Sequence, residues 1–198
     1  MKKYLSIALS LLILRVWSQQ DPQYNMYQFN MIVVNPAYAG SRDAIAIVND
    51  VRQQWVAFPG APQTICLSAH APIAGKNIGV GGTIINDAMG PRNVISAYGN
   101  FAYILKITNK MRLSFGINGG YNRYQFKFSS LNFNQAEVPS QLLSTQNLGT
   151  MDVNTGLFFK MSNFFAGLSA THLNSPNVYS YKDQGGGKYS YKIHTHLF

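Results

Sequence analysis

A long apolar run is missing from this chain. Outside a ten-residue segment near its start, no stretch approaches the roughly 18 consecutive apolar residues of a membrane-spanning helix. Acid is scarce as well: seven Asp and Glu stand against sixteen Lys and Arg, a formal charge of +9. A basic excess suits nucleic acid only when the cations gather into a stripe or along a helix. Here Arg42, Arg52, Lys76, Arg92, Lys106, Lys110, Arg123, Lys160, Lys182 and Lys188 stand singly, mostly at segment ends. They suit lipid head groups, and no nucleic-acid partner is expected. Cysteine occurs once, at Cys66, which excludes an internal disulfide and, so far from the start, a lipoprotein anchor.

What is present is alternation. Residues 78–86, 94–105, 113–122, 153–159 and 164–171 contain no Asp, Glu, Lys or Arg. About ten tilted residues cross a bilayer as a strand, and in lipid only helices and closed barrels satisfy their own backbone. A mean hydropathy of −0.06 fits a barrel whose lipid-facing and inward-facing residues average out. The fold expected is an all-β, antiparallel transmembrane outer-membrane β-barrel.

The first 18 residues read as an export signal. Lys2 and Lys3 precede an apolar run over residues 5–14, and Val16-Trp17-Ser18 offers a cleavage site before Gln19. Removing Lys2, Lys3 and Arg15 takes the formal charge from +9 to +6. The expected organisation is a signal peptide at 1–18, an N-terminal periplasmic or lumen segment at 19–43, and barrel over 44–198.

Eight strands are expected, at 44–54, 63–71, 78–86, 93–106, 112–128, 151–161, 164–173 and 189–198. Ile65, Leu67, Ala69 and Ala71 share one face of the second, with Thr64, Cys66, Ser68 and His70 on the other. After Arg123 the apolar phase moves to Tyr124, Phe126 and Phe128, which suggests a bulge or the strand leaving the bilayer. Connections of about 8, 6, 22 and 15 residues alternate with ones of 6, 5 and 2. Outer-membrane barrels have long outer loops and short periplasmic turns, so 129–150 and 174–188 are expected outside. The last strand places His196, His194 and Lys192 in phase with Phe198, where apolar residues belong. Phe198 therefore reads as mid-strand in a longer product, a larger barrel truncated here.

The segment Gln19-Gln20-Asp21-Pro22-Gln23 runs on to Asn35-Pro36-Ala37-Tyr38-Ala39-Gly40 and is rich in amides and aromatics. Tyr24, Tyr27, Met31 and Val34 could form one helical stripe, which Asn35-Pro36 would stop. It either fills the lumen or contacts a periplasmic partner. These residues resemble the start of the PorP/SprF family of the Bacteroidota type IX secretion system. The resemblance continues through Arg52-Gln53-Gln54-Trp55, Phe58-Pro59-Gly60-Ala61-Pro62-Gln63-Thr64, Leu67-Ser68-Ala69-His70, Gly79-Val80-Gly81 and Asn86-Asp87 with Gly90-Pro91. Leu113-Ser114-Phe115-Gly116 and Gly167-Leu168-Ser169 extend it. It implies an outer-membrane barrel that secretes or retains type IX cargo, notably adhesins with a type B C-terminal domain. It also implies periplasmic partners in the secretion and gliding machinery.

No enzyme, cofactor or metal is expected. Ser68 and His70 share a strand face with Asp50 and Asp87 near in sequence, but nothing fixes a triad. His194 and His196 share a strand face without a third ligand. Gly79-Val80-Gly81-Gly82 lacks the last glycine of a dinucleotide fingerprint and opens no helix. Arg52 is expected to point inward, able to pair with Asp50. Tyr179, Tyr181, Tyr189 and Tyr191 flank Gly185-Gly186-Gly187 in an outer loop whose composition suits a contact surface. The competing reading is a channel or uptake porin for small solutes.

Overall fold

A computed structural model of the chain describes residues 28–127, 145–175, 177–182, 188–193 and 195–197. Among the described residues ten strands form: β1 (Ala46–Gln53), β2 (Gln63–Pro72), β3 (Ile78–Met89), β4 (Arg92–Thr108), β5 (Met111–Lys127), β6 (Thr145–Lys160), β7 (Phe165–Thr171), β8 (Asn177–Lys182), β9 (Lys188–Lys192) and β10 (His196–Leu197). Eight of them make one antiparallel sheet in the order β1-β2-β3-β4-β5-β6-β7-β10, while β8 and β9 pair as a separate hairpin. β1 and β10 are the edges of that sheet. Among the described residues no helix is long and apolar enough to cross a membrane.

The two faces are opposite in character. Along β2 the burial alternates residue by residue: Thr64, Cys66, Ser68 and His70 are buried, Ile65 and Leu67 exposed. β4 and β5 repeat this, with Ile95, Phe101, Tyr103, Phe115 and Ile117 outward and Ser96, Asn100, Asn118 and Asn122 inward. A continuous apolar outer face is a liability in water and a requirement in lipid. The inner face is where the polar side chains find partners.

Four expectations are corrected. The alternation of β5 does not slip after Arg123: its ladders with β4 and β6 run unbroken there. Tyr124 stays in the inward phase, 5% exposed, against Val94 and Ile193. An apolar patch on the inner face imitated a change of phase. The last strand is not continuous over 189–198: Lys188–Lys192 pairs with β8, and only His196–Leu197 returns to the sheet beside β7. The connection between β3 and β4 is two residues, not six, because β3 runs to Met89 and β4 starts at Arg92. β6 likewise starts at Thr145, so the last residues of the expected 129–150 loop are strand. Residues 128–144 of that loop lie outside the described residues.

One end of the sheet carries the connections 54–62, 90–91, 128–144 and 172–195; the other carries 73–77, 109–110 and 161–164. They are called here the long-loop and short-turn ends.

Candidate functional site on the inner face

The inner face is occupied by the chain's own N-terminal region. Tyr24 and Tyr27 of the expected helical stripe lie outside the described residues; around Met31 and Val34 there is no α-helix but two 3-10 turns, Met31–Val33 and Pro36–Tyr38. The second is dictated locally. Asn35 is extended, as the residue before proline must be, and its side-chain oxygen caps the turn by accepting from Ala37 N at 2.9 Å. Pro36 opens the turn with a preset φ. Gly40 follows at φ +71, where a Cβ would also collide with Gly79.

The seat for this turn is a row of small residues running across the strands. Gly79, Ala102, Gly116, Gly156 and Ser169 are successive register partners on β3 to β7. A Cβ on Gly79 would strike the Ala39 carbonyl, one on Gly116 the Ala37 nitrogen, one on Gly156 the Asn35 side chain. The turn therefore lies on the sheet at backbone distance. The Asn35 amide nitrogen donates to Leu157 O at 2.9 Å and Leu168 O at 3.3 Å, spanning β6 and β7. Gly40 N donates to His70 Nδ1 at 3.2 Å on β2. One short turn touches six strands, so the sheet curves round it. Ala37 and Ala39 are fully buried.

Tyr38 packs edge-on to His70 and Phe158, with centroids 5.3 and 5.2 Å away. Upstream, Ser68 Oγ donates to Asn30 Oδ1 at 2.6 Å. Downstream, Lys160 Nζ donates to Ser41 O at 3.1 Å, and Arg112 pairs with Asp43 at 2.8 Å. The Arg112 hydrogen bond and charge hold the Asp43 carboxyl below its ordinary range, with Lys160 and Lys106 adding to the pull.

Beyond the turn comes a belt of amides. Asn118 donates to Asn100 at 3.1 Å, Asn154 to Asn118 at 2.7 Å, and His172 N to Asn154 at 2.7 Å. The next layer gathers Tyr98, Asn122, Asp152 and His172. Tyr98 lies across Gly120, and its hydroxyl sits 2.9 Å from Asn122 Oδ1 and 3.0 Å from Asp152 Oδ2. His172 Nδ1 lies 2.8 Å from the same carboxylate, in a side-chain pair that is almost wholly buried. At the long-loop end Val94, Tyr124 and Ile193 pack with Phe126 and Leu148.

The other sequence candidates fall as follows. Ser68 and His70 are bonded to Asn30 and Gly40, while Asp87 accepts from Thr64 at 2.7 Å and from Arg92 at 3.0 Å. Asp50 and Arg52 both fall in the inward phase of β1. His196 meets His172 ring to ring at 6.3 Å, and His194 lies outside the described residues. Among the described residues no group of three or more His, Cys, Asp or Glu is placed to hold a metal. Tyr179 opposes Tyr191, and Tyr181 opposes Tyr189, in the β8–β9 ladder. The row Gly79–Ala102–Gly116–Gly156 and the Asp152–His172 pair were missed by sequence reasoning. Each strand shows only its own period, and a row exists only once register is known.

An apolar outer face, an antiparallel sheet in which β2 to β6 each have ten or more residues, and a polar inner face are the features of an outer-membrane β-barrel protein. The family model described as type IX secretion system membrane protein PorP/SprF matches residues 16–197. The chain belongs to that family and is an outer-membrane component of the type IX secretion system. Comparisons with curated proteins and with solved structures returned no match.

Proposed function

We propose that this protein is a non-enzymatic barrel for secretion and cell-surface attachment of type IX cargo, such as adhesins with a type B C-terminal domain, and that Asn35–Gly40 plugs its lumen. The long-loop end faces outward and presents the tyrosine pairs of β8 and β9 to cargo. The short-turn end faces the periplasmic secretion and gliding machinery. One observation carries the reading: the Asn35–Gly40 turn is seated on the inner face against β2 to β7, with backbone on backbone at Gly79 and Gly116 and the Asn35 side chain clamping β6 and β7, an arrangement that suits a platform and obstructs a pore.

Planar-bilayer recording tests it. The folded protein should be nearly silent, and deleting residues 30–41 should open steady conductance. Steady conductance by the intact chain would favour the solute channel instead. For attachment, replacing Tyr179, Tyr181, Tyr189 and Tyr191 with Ser should release cargo into the medium while the folded barrel, read by heat-modifiable gel mobility, persists. Cargo retained on cells by that variant would move recognition elsewhere.

A further inference from the structure

The connection between β1 and β2 does not look like a loop built to stand in water. Trp55, Val56 and Phe58 are 70%, 75% and 67% exposed, and no charged residue occurs between Arg52 and His70. That exposure is held in place. Gln54 N bonds Pro62 O at 3.0 Å, Phe58 N bonds Trp55 O at 3.0 Å, and Ala61 N bonds Phe58 O at 3.1 Å. Gly90 N then ties Gly60 O to the β3–β4 turn at 2.9 Å. Trp55 and Ala57 adopt φ +50 and +75, which side-chain-bearing residues avoid unless their surroundings enforce it.

What covers this tip follows from its neighbours. Trp55 follows two residues after the end of β1, whose Val51 and Gln53 stand in the outward phase, while Ile65 and Leu67 stand in that of β2. The apolar tip thus continues the lipid-facing surface with one pair of amides, Gln53 and Gln63, in between. A polar row followed by Trp and Phe is the order of groups across a membrane interface, where amphipathic rings settle at head-group depth. We infer that residues 55–58 fold onto the bilayer at the long-loop end, with Trp55 and Phe58 at head-group level, making this loop a membrane-interface anchor. The inference depends on the barrel lying in a membrane and not on what it carries.

Apart from Trp17, Trp55 is the only tryptophan. The full chain carrying Trp17→Phe is folded into phosphatidylcholine vesicles brominated either near the glycerol or near the end of the acyl chains. Only protein migrating as a folded barrel is measured. Trp55 emission should be blue-shifted, lose most of its intensity to bromine near the glycerol and little to bromine at the chain ends, and resist aqueous iodide. Moving the probe, with Trp55→Phe and Phe58→Trp added, should give the same pattern. Quenching by iodide and not by bromine would put the loop in water; shielding from both would mean a protein surface covers it. Either result overturns the anchor.

Discussion

The two ends of the inner face are filled by opposite means. At the short-turn end the turn rests directly on glycine backbone, and fit depends on side chains that are absent from Gly79, Gly116 and Gly156. At the long-loop end Val94, Tyr124 and Ile193 fill space with side chains that are present. The first kind of contact tolerates no added atom. The second responds in proportion to the volume removed.

The largest effect should come from Gly116→Val, whose branched side chain would occupy the position of Ala37. Loss on the order of 4 kcal/mol is expected in denaturant titration of vesicle-folded protein, together with new protease cleavage between residues 30 and 43. Gly99→Val is the matched control, because nothing lies within 4 Å of its Cβ position. If both variants behave alike, the row of small residues is not a seat.

At the opposite end Tyr124→Ala should cost about 3 kcal/mol, a graded cavity effect, with Tyr124→Phe retaining most of the stability. A loss from Phe as large as that from Ala would show that the hydroxyl, not the packing, holds this end. Asn35→Ala should cost about 2 kcal/mol by removing the clamp on two carbonyls. Asn35→Asp keeps the acceptor for Ala37 N and loses both donors, so recovery by Asp would assign the clamp to the cap alone.

The smallest expected effect belongs to the exposed pair of Asp43 and Arg112. Its carboxyl pKa is depressed on folding, so its stabilisation is fully present above the ordinary value of 3.8 and is lost as pH falls through the lowered one. Solvent screening limits it to about 0.5 kcal/mol. Asp43→Asn should flatten that acid limb, measured against the parent chain at low salt. An unchanged limb would place the titration elsewhere.

How much of this could be read from the chain divides along the same faces. The outer face was legible because lipid demands one thing of every outward position, so Ile65, Phe101, Phe115 and Leu157 announce themselves two residues at a time. The inner face has no uniform demand. Asn154 is polar because Asn118 lies opposite, and Gly116 is small because Ala37 lies above it. Tyr124 misled for the same reason, being apolar on a face that is polar elsewhere. β8 was overlooked because Tyr and Ser alternate there with neither a core nor a lipid period, although Gly185-Gly186-Gly187 marked the reversal beside it.

The Asn35 clamp also constrains the order of events in folding. Its bonds to Leu157 and Leu168 close separations of 122 and 133 residues. Asn35 leaves the ribosome before any strand, yet its two acceptors are themselves register partners that come together only when β7 has zipped onto β6. Contacts of such range form late, after the entropy of the enclosed chain has been spent. The earliest turn must therefore wait for nearly the whole sheet, and its docking marks the moment at which β2 to β7 are correctly in register.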